Sequence, residues 1–326
     1  YDLASIKTTT NKAFQKYTPF YNQVLHNSVL KPSRKSLKNI LKPKTTLSYL
    51  YDLNKARRTL IKENLNILVK GGRINGLQRL KKALGEQREY DTKRDYLYHN
   101  TSFLSAYIKF GCVSVREVFH SVKAKFGIKH GMISELIWRE FFAHVLYHYP
   151  EVLRGSYYYK NVKWRTSNSD FKKWCEGNTG FPVVDAGMRQ MNATGFMHNR
   201  SRMMAATLLV KVLLLDWRLG ERYFAQMLTD YDPASNNGNW QAISGTGVDM
   251  KPYFRTMSPW IQAKKFDPEC IYIKQWIPEL KDVPPKDIHK WNETWSKYPG
   301  TYIEPIADFT ERTQEMMKLY KKAGSK

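Results

Sequence analysis

The sequence is poor in cysteine and lacks the commonest short motifs of nucleotide-binding and metal-binding proteins. Its three cysteines, Cys112, Cys175 and Cys270, lie far apart and form no CxxC pair. This spacing argues against a disulfide framework or a zinc site and favours a reducing compartment. None of the strings GxGxxG, GxxxxGKS/T and HExxH occurs, so the two commonest nucleotide-binding loops and the zinc-protease helix are absent.

No apolar run is long enough to cross a membrane. The most apolar stretch, 203–215, is about 13 residues long and contains Lys211, whereas a membrane-spanning helix needs about 20 residues. We therefore interpret this stretch as a buried core helix and expect no association with a membrane.

Acidic side chains are scarce as well. Against 53 lysines and arginines there are only 29 aspartates and glutamates, which gives a net charge of +24. Residues 1–100 hold 21 of the basic and 7 of the acidic side chains, so this third of the chain carries +14. An excess of this size favours a polyanionic partner, of which nucleic acid is the commonest.

Aromatic side chains, in contrast, are abundant. Of the 326 residues 14% are aromatic and 42% are hydrophobic, with 9 tryptophans and 21 tyrosines. Such a chain can build a sizeable core, in one large domain or two smaller ones. The aromatics fit either a large aromatic core or a site that stacks on planar ligands.

Helical periodicity dominates after residue 72, where no strand pattern is convincing. Before that point, the stretch 33–44, SRKSLKNILKPK, has the composition of an exposed loop or linker. GLQRLKKAL, at 76–84, is amphipathic and predicts a helix. Further helices are predicted at 102–126, 132–148, 183–193, 199–217, 220–229 and about 308–322.

The helix predicted at 132–148 carries a polar stripe. Glu135, Trp138, Arg139 and Phe142 repeat at positions i, i+3, i+4 and i+7 and so share one face. A charge pair beside two aromatics suits the wall of a polar pocket. A Glu–Arg pair four residues apart on an exposed surface would give the same pattern.

The same helix also carries a second candidate face. Glu140, His144 and His148 are spaced by four residues, as ligands of one metal ion would be. No further ligand cluster lies near them in the sequence. We therefore favour a packed helix with partly exposed histidines and predict no metal site.

Two polar segments further along could share another site. Asn199, Arg202 and Met203 fall on one helical face at the start of the apolar stretch. Polar groups that lead into a core need hydrogen-bond partners. Asp230 and Asp232, in DYDPASNNGNW, could supply carboxylates, although an ordinary buried ion pair would leave the same pattern.

Several long strings follow one another along the chain. They are TSFLSAYIKFGCVS, ELIWREFF, WCEGNTGFPVVDAGMRQMNATGFMHNRSRM, LLLDWRLGERYF, DYDPASNNGNW and YFRTMSP. In this order they resemble the FAD-binding domain of the photolyase/cryptochrome family, most of all the class I cyclobutane pyrimidine dimer photolyases. The resemblance implies a mainly α fold, with a helical FAD-binding and DNA-binding domain at 73–326. Residues 1–72 would be the end of an N-terminal α/β antenna domain plus a basic linker, so most of that domain would be absent or on a separate chain.

The resemblance implies FAD as the cofactor, active in its reduced form, and leaves the antenna chromophore unknown. Phosphates would lie on the run 101–105, at the start of a helix. Arg202 and Asp230 would pair beside the isoalloxazine ring, Asp232 would hydrogen-bond it, and Asn236 would face its N5 atom. The full implied set is Tyr90, Thr101, Ser102, Phe103, Leu104, Ser105, Glu135, Arg139, Asn199, Arg202, Asp230, Tyr231, Asp232 and Asn236.

DNA-binding residues are implied in the same way. A flipped pyrimidine dimer would lie in a cavity lined by Glu135, Trp138, Asn199, Arg200 and Met203. The residues implied to contact the DNA backbone or its edge are Arg94, Arg255 and Gln262.

Three tryptophans, which composition alone assigns to the core, gain a role from the resemblance. Trp240, Trp217 and Trp164 would pass electrons between the surface and the flavin, with Glu135 and Asn236 completing the catalytic set. The sequence also departs from the family at two positions. Ala242 stands where many relatives have a tryptophan that stacks on the dimer, and Met132 replaces an aromatic that often contacts FAD.

The function implied is light-dependent repair of cyclobutane pyrimidine dimers by a monomeric enzyme that acts on damaged DNA inside the cell. Three alternatives remain open. They are a (6-4) photolyase, a cryptochrome-type blue-light photosensor, and a repair-inactive basic DNA-binding fragment. The pair His198–Asn199 argues against the first, because (6-4) photolyases carry two adjacent histidines there.

Overall fold

Helices provide the regular structure of this chain. The structure, a computed structural model, describes residues 1–33, 52–60, 64–159, 161–249 and 255–324. Within these ranges there is no β-strand, and one isolated bridge joins Arg165 to Leu215. The predicted mainly α class is therefore confirmed. The linker predicted at 33–44 lies outside the described residues, apart from Ser33.

Most of the predicted helices are present with bounds that shift by a few residues, but the helix predicted at 102–126 is divided into two, Ser105–Lys109 and Val115–Phe126. The α-helices are α1 (Tyr17–Leu25), α2 (Leu53–Leu60), α3 (Arg73–Glu86), α4 (Tyr90–Lys93), α5 (Ser105–Lys109), α6 (Val115–Phe126), α7 (Gly131–His148), α8 (Asn168–Glu176), α9 (Pro182–Thr194), α10 (Asn199–Thr207), α11 (Trp217–Met227), α12 (Pro233–Ser244), α13 (Pro259–Phe266), α14 (Ile271–Trp276), α15 (Pro285–Ile288), α16 (Trp291–Thr294) and α17 (Phe309–Gly324). The shorter turns are 3-10 helices at Pro150–Leu153, Pro278–Leu280 and Trp295–Lys297 and a π-helix at Leu208–Val212.

Two hydrophobic clusters organise the helices. The N-terminal cluster, which includes Phe20 and Ile133, joins α1, α3, α6 and α7. The C-terminal cluster, which includes Trp174 and Leu209, joins α8 to α16 with α10 near its centre. Helices α7 and α12 pack against each other and connect the clusters. Side chains that face the junction from both sides can therefore enclose a site.

The longest of the helices, α7, illustrates how sequence places a side chain. The Nδ1 atom of His130 accepts a hydrogen bond from the backbone of Met132 and so caps the first turn. Ile133, Ile137 and Phe141, spaced by four residues, are fully buried in the N-terminal cluster. This packing turns Glu135 and Arg139, two members of the predicted polar stripe, towards the junction.

The prediction of one helix over 199–217 is wrong. Helix α10 passes into the π-helix Leu208–Val212, and the chain then leaves the helical conformation before α11 begins at Trp217. Leu214 has a left-handed backbone (φ 60°), and its carbonyl accepts a hydrogen bond from the backbone of Arg165. Every side chain from 208 to 215 is buried. A uniformly apolar run has no periodicity that marks where its helix ends, so tertiary pairing decides.

Residues 1–33 contain α1, which packs against α7. The ring of Tyr17 stacks on that of Trp138, with centroids 3.5 Å apart and planes 4° from parallel. The Tyr17 hydroxyl donates to the carbonyl of Ser134 at 3.0 Å. That 1–72 forms the end of a separate α/β domain stays a prediction. No helix in the described ranges has the length and apolar character needed to span a bilayer.

Candidate functional site

Two adjoining cavities lie at the junction of the clusters. They share Arg202, Asp230, Asp232 and Ser235 in their walls. The larger cavity, of about 220 Å³, is completed by Tyr90, Ser102, Leu104, Ser105, Ile108, Lys109, Val118, Met132, Glu135, Leu136 and Arg139. The smaller cavity, of about 90 Å³, is completed by Asn199, Met203, Ala206, Phe224, Leu228, Tyr231, Asn236, Asn239, Trp240 and Ile243.

An ion pair occupies the shared wall. Asp230, between α11 and α12, is 7% exposed, and its Oδ2 atom lies 3.0 Å from Nη2 of Arg202 on α10. Arg202 is held in place by a second bond from its Nε atom to the carbonyl of Met197 at 2.8 Å. Burial would raise the pKa of Asp230, but the charge and hydrogen bond of Arg202 outweigh it and hold that pKa below its usual value. The Oδ1 atom of Asp230 is buried without a partner among the described residues.

A second carboxylate faces the larger cavity beside this pair. Asp232 caps α12, since its Oδ1 atom accepts a hydrogen bond from the backbone of Ser235 at 2.9 Å. Its Oδ2 atom lies 3.6 Å from the ammonium of Lys109 on α5. Sequence reasoning did not single out Lys109. Its spacing of four residues from Ser105, on the same face of α5, was the available signal.

The opposite wall of the larger cavity comes from α4 and α7. Glu135 and Arg139 both line it, as the polar stripe suggested, and Tyr90 lies beside them. The Oε1 atom of Glu135 is 2.5 Å from Nη1 of Arg94, whose guanidinium also lies over the Tyr90 ring at 5.6 Å. Burial raises the pKa of Glu135, and Arg94 opposes that shift. Arg139 pairs with Glu140 at 2.7 Å.

The run 101–105 divides into residues that face the cavity and residues that do not. Ser102, Leu104 and Ser105 line the larger cavity. The structure does not bring Thr101 or Phe103 to it. Arg79, from α3, instead binds the carbonyls of Thr101 and Ser102 at 2.9 and 2.6 Å and covers the Phe103 ring at 4.8 Å. Arg79, also missed from sequence, therefore shapes the turn that presents the two serines.

The implied DNA-binding residues do not lie together in one place. Asn199 and Met203 line the smaller cavity. Arg200 lines neither of the two cavities, pairs with Asp95 at 2.5 Å and lies 3.4 Å from Gln262. Of the remaining residues, Arg94 pairs with Glu135, and the Arg255 carbonyl accepts a hydrogen bond from Lys211.

The structure does not bring Trp138 to either cavity wall. Its ring is stacked between Tyr17 and Phe142, with centroid distances of 3.5 and 5.6 Å. The reason is that α1 lies across this part of α7 and covers the indole face. Ala242 is partly buried next to Ile243, which does line the smaller cavity.

Of the three predicted tryptophans, Trp240 lines the smaller cavity, whereas Trp217 and Trp164 line neither of these two cavities. Its closest ring neighbours are Phe224 at 5.0 Å and Trp174 at 6.1 Å. Trp217 is buried, and its Nε1 atom donates to the hydroxyl of Ser156 at 3.1 Å. Trp164 is partly buried, 6.0 Å from the ring of Tyr320.

The histidine face of α7 has a packing role. His144 is fully buried, and its Nε2 atom accepts a hydrogen bond from the backbone of Phe14 at 3.0 Å. His148 lies 3.1 Å from the carbonyl of Leu3. Across the described ranges, no three histidine, cysteine or acidic side chains are grouped as metal ligands would be.

A family model described as the FAD binding domain of DNA photolyase matches residues 132–322, more than half of the chain. The chain belongs to this family. Its helical structure agrees with two solved relatives. A bacterial class III photolyase from Agrobacterium tumefaciens is 30% identical with a TM-score of 0.91, over 100% of this chain and 72% of the relative. An archaeal photolyase from Sulfolobus tokodaii, solved with two FAD molecules, is 40% identical with a TM-score of 0.82, over 97% and 70%.

Curated members of the family carry the name deoxyribodipyrimidine photo-lyase. The Escherichia coli protein of that name is 41% identical over 249 residues, which cover 72% of this chain and 52% of the relative. The chain thus spans about half the length of several curated relatives that it matches.

FAD is the cofactor of this family, and the residues of the two cavities fit it. The unpartnered Oδ1 atom of Asp230 requires a hydrogen-bond donor at the shared wall. The larger cavity is lined by Ser102, Ser105 and Lys109. Their hydroxyl and ammonium groups can hold the anionic phosphates of FAD. An aromatic wall at Trp240 suits a planar ring.

Proposed function

We propose that this chain carries out light-dependent DNA repair, in which FAD drives the splitting of cyclobutane pyrimidine dimers. The observation that carries the proposal is the Arg202–Asp230 ion pair at the junction of two cavities, with Trp240 in the wall of the smaller one. Relatives named deoxyribodipyrimidine photo-lyase, at 41% identity, support this reaction over a photosensory role.

When bound in its reduced form, FAD supplies the photochemistry of this reaction, namely the excited electron that opens the dimer and is then returned. The chain supplies position and charge. The Arg202–Asp230 pair and Asp232 would hold the isoalloxazine ring at the shared wall, and Asn236 would face it from the smaller cavity. Ser102 and Ser105, which line the larger cavity, would hold the phosphate end.

The DNA substrate is bound chiefly by charge. The net charge of +24 favours a polyanion, and phosphate contacts supply affinity without reading sequence. Arg200 lies 3.4 Å from Gln262 and pairs with Asp95, next to the start of α10, whose Asn199 lines the smaller cavity. A dimer flipped out of the duplex would enter past them to reach Asn199 and Met203. Flipping costs about a few kcal/mol and least for a damaged base, a property for which photolyases are a standard example.

A repair assay tests the proposal. The chain, reconstituted with FAD and reduced, is mixed with oligonucleotides that contain one cyclobutane thymine dimer, in light and in dark. We expect restored thymines only in the light and none from a (6-4) photoproduct under the same conditions. Arg202→Met should lose FAD and repair together, whereas Arg312→Met, which removes a partly exposed pair with Glu315, should keep both.

Three results would replace the proposal with one of its alternatives. Repair of the (6-4) lesion alone would indicate a (6-4) photolyase. Bound flavin that responds to light without repairing either lesion would indicate a photosensor. DNA binding without any bound flavin would indicate a repair-inactive basic fragment.

We also propose that the chain acts as a monomer on cellular DNA and that an antenna domain, if on another polypeptide, binds it separately. The scarce, unpaired cysteines fit a reducing compartment. Light scattering at several concentrations tests the monomer, because self-association would raise the apparent mass with concentration.

A further inference from the structure

The ring of Trp174 contacts that of Trp240, a contact that the sequence did not predict. The two rings meet edge to face, with centroids 6.1 Å apart. Trp174 is fully buried, and its Nε1 atom donates to the carbonyl of Ala205 at 3.0 Å, so its orientation is fixed. One end of this pair therefore lies in the cavity wall and the other lies in α8.

The contacts continue from Trp174 towards the surface. The ring of Tyr223, on α11, lies 5.9 Å from that of Trp174, and the Tyr223 side chain is partly exposed. Its hydroxyl donates to Oδ1 of Asn192 at 2.9 Å, with the carbonyl of Cys175 at 3.1 Å. Phe171 stacks on Trp174 at a similar distance, but a phenyl ring is far harder to oxidise than a phenol.

The surroundings keep Tyr223 as a neutral phenol. Burial, and then the nearby side chains of Cys175 and Glu176, raise the pKa of Tyr223 to about 12, although its bond to Asn192 lowers it. A phenol of this kind keeps its proton until it loses an electron, and then releases it. The negative charge of Glu176 also favours positive charge that arrives at this place.

We propose that Trp174 and Tyr223 form a branch that supplies electrons to Trp240, separate from Trp217 and Trp164. Once Trp240 has given an electron to the light-excited cofactor, Trp174 replaces that electron. Tyr223 then replaces the electron lost by Trp174. In this last step Tyr223 loses one electron and releases its phenolic proton to water, which leaves a neutral tyrosyl radical. A soluble thiol restores Tyr223 by returning one electron and one proton.

This inference rests on the flavin-binding part of the proposed function, and electron paramagnetic resonance tests it. The full chain, loaded with oxidised FAD, is illuminated without thiol and frozen. We expect a tyrosyl signal that is lost in Tyr223→Phe and retained in Tyr298→Phe, a control whose hydroxyl bonds Asp287. Trp217→Phe should retain it, because the proposed branch does not include Trp217.

Trp174→Phe should also remove the tyrosyl signal, and circular dichroism shows whether this buried variant folds. Tyr223→Phe removes one partly exposed hydroxyl and keeps the test valid if Trp174→Phe fails to fold. An unchanged tyrosyl signal in Tyr223→Phe, or no tyrosyl signal in the unmodified chain with FAD bound, would overturn the branch. A chain without the absorption bands of bound flavin would instead overturn the proposed function.

Discussion

The carboxylate of Asp230 lies 3.0 Å from the guanidinium of Arg202, in the wall that two cavities share. The two residues are 28 positions apart and belong to different structural elements. Because Asp230 is almost fully buried, its charge depends on this single cation. The pair therefore links the shape of the cofactor site to the stability of the fold.

Arg202→Met should destabilise the chain by about 3–5 kcal/mol at neutral pH, the usual cost of leaving one partner of a buried ion pair unpaired. In the unmodified chain the lowered pKa of Asp230 stabilises the fold at every pH above the pKa that this group has in the unfolded chain. This stabilisation is lost as the pH falls through the pKa of Asp230 in the folded chain. In the variant, burial without Arg202 raises that pKa, so stability should fall as pH rises. Urea unfolding of both proteins at about pH 5 and pH 8 measures how the free energy of unfolding depends on pH. If the variant loses the same free energy of unfolding at both pH values, the prediction is contradicted.

Gly220→Ala should test how tightly α11 approaches the cavity wall. A Cβ atom at Gly220 would lie 2.2 Å from Cη2 of Trp240 and 2.5 Å from Cδ2 of Leu209, so the core would be overpacked. We expect a loss of about 1–3 kcal/mol in the free energy of unfolding. Gly85→Ala is the matched control, since nothing lies within 4 Å of its added Cβ, and it should stabilise α3 slightly.

A double-mutant cycle refines this test. Trp240→Phe removes the part of the indole ring that the new methyl group meets. The double variant Gly220→Ala/Trp240→Phe should therefore be more stable than the sum of the two single changes predicts. Simple additivity would show that the clash is relieved elsewhere.

His144 should make stability depend on pH. Burial, and then the neighbouring His148, lower the pKa of His144 to about 4, while the unfolded chain titrates near 6.5. A pKa that is lower in the folded than in the unfolded chain stabilises the fold at every pH above the unfolded-state pKa. This stabilisation is lost as the pH falls through the folded-state pKa. Unfolding free energy should thus decline from about pH 6.5 to pH 4, by an order of 2–3 kcal/mol for this residue.

Urea titrations of His144→Gln check the assignment. The variant should be less stable at neutral pH and should lose part of the pH slope. His198, whose pKa burial also lowers to about 4, should account for a further part. The exposed His26→Gln serves as control and should keep the full slope. An unchanged slope in His144→Gln would show that His144 is not the titrating group.

Tyr17→Ala should change how the chain distinguishes damaged from intact DNA. Tyr17 covers the face of Trp138, so a flipped base can stack on this indole only after the tyrosine moves. Stacking on an aromatic side chain contributes about 1–3 kcal/mol per base. If Trp138 receives the dimer, Tyr17→Ala should raise the ratio of damaged to undamaged affinity, and Tyr21→Ala should not. Competition binding at one salt concentration measures the ratio. A ratio unchanged by Tyr17→Ala would assign Trp138 to packing alone.

The helical class and several site residues could be predicted from the sequence because their signals are local. The spacing of Ile133, Ile137 and Phe141 defines the buried side of α7 within three turns. That spacing in turn orients Glu135 and Arg139 towards the site. Asp230 and Asp232 were proposed as carboxylate partners from the need of buried polar groups for hydrogen bonds, and the resemblance of DYDPASNNGNW to a known family paired Asp230 with Arg202.

Other pairings between distant segments were decided by the tertiary structure alone. The end of α10 depends on the bonds between Arg165 and the apolar run, and no local pattern marks it. The contact of Trp174 with Trp240 and the cover of Trp138 by Tyr17 arise where separate helices cross. Sequence periodicity reports which side of a helix is buried. Which side chain it meets there depends on how all the helices pack around the two clusters.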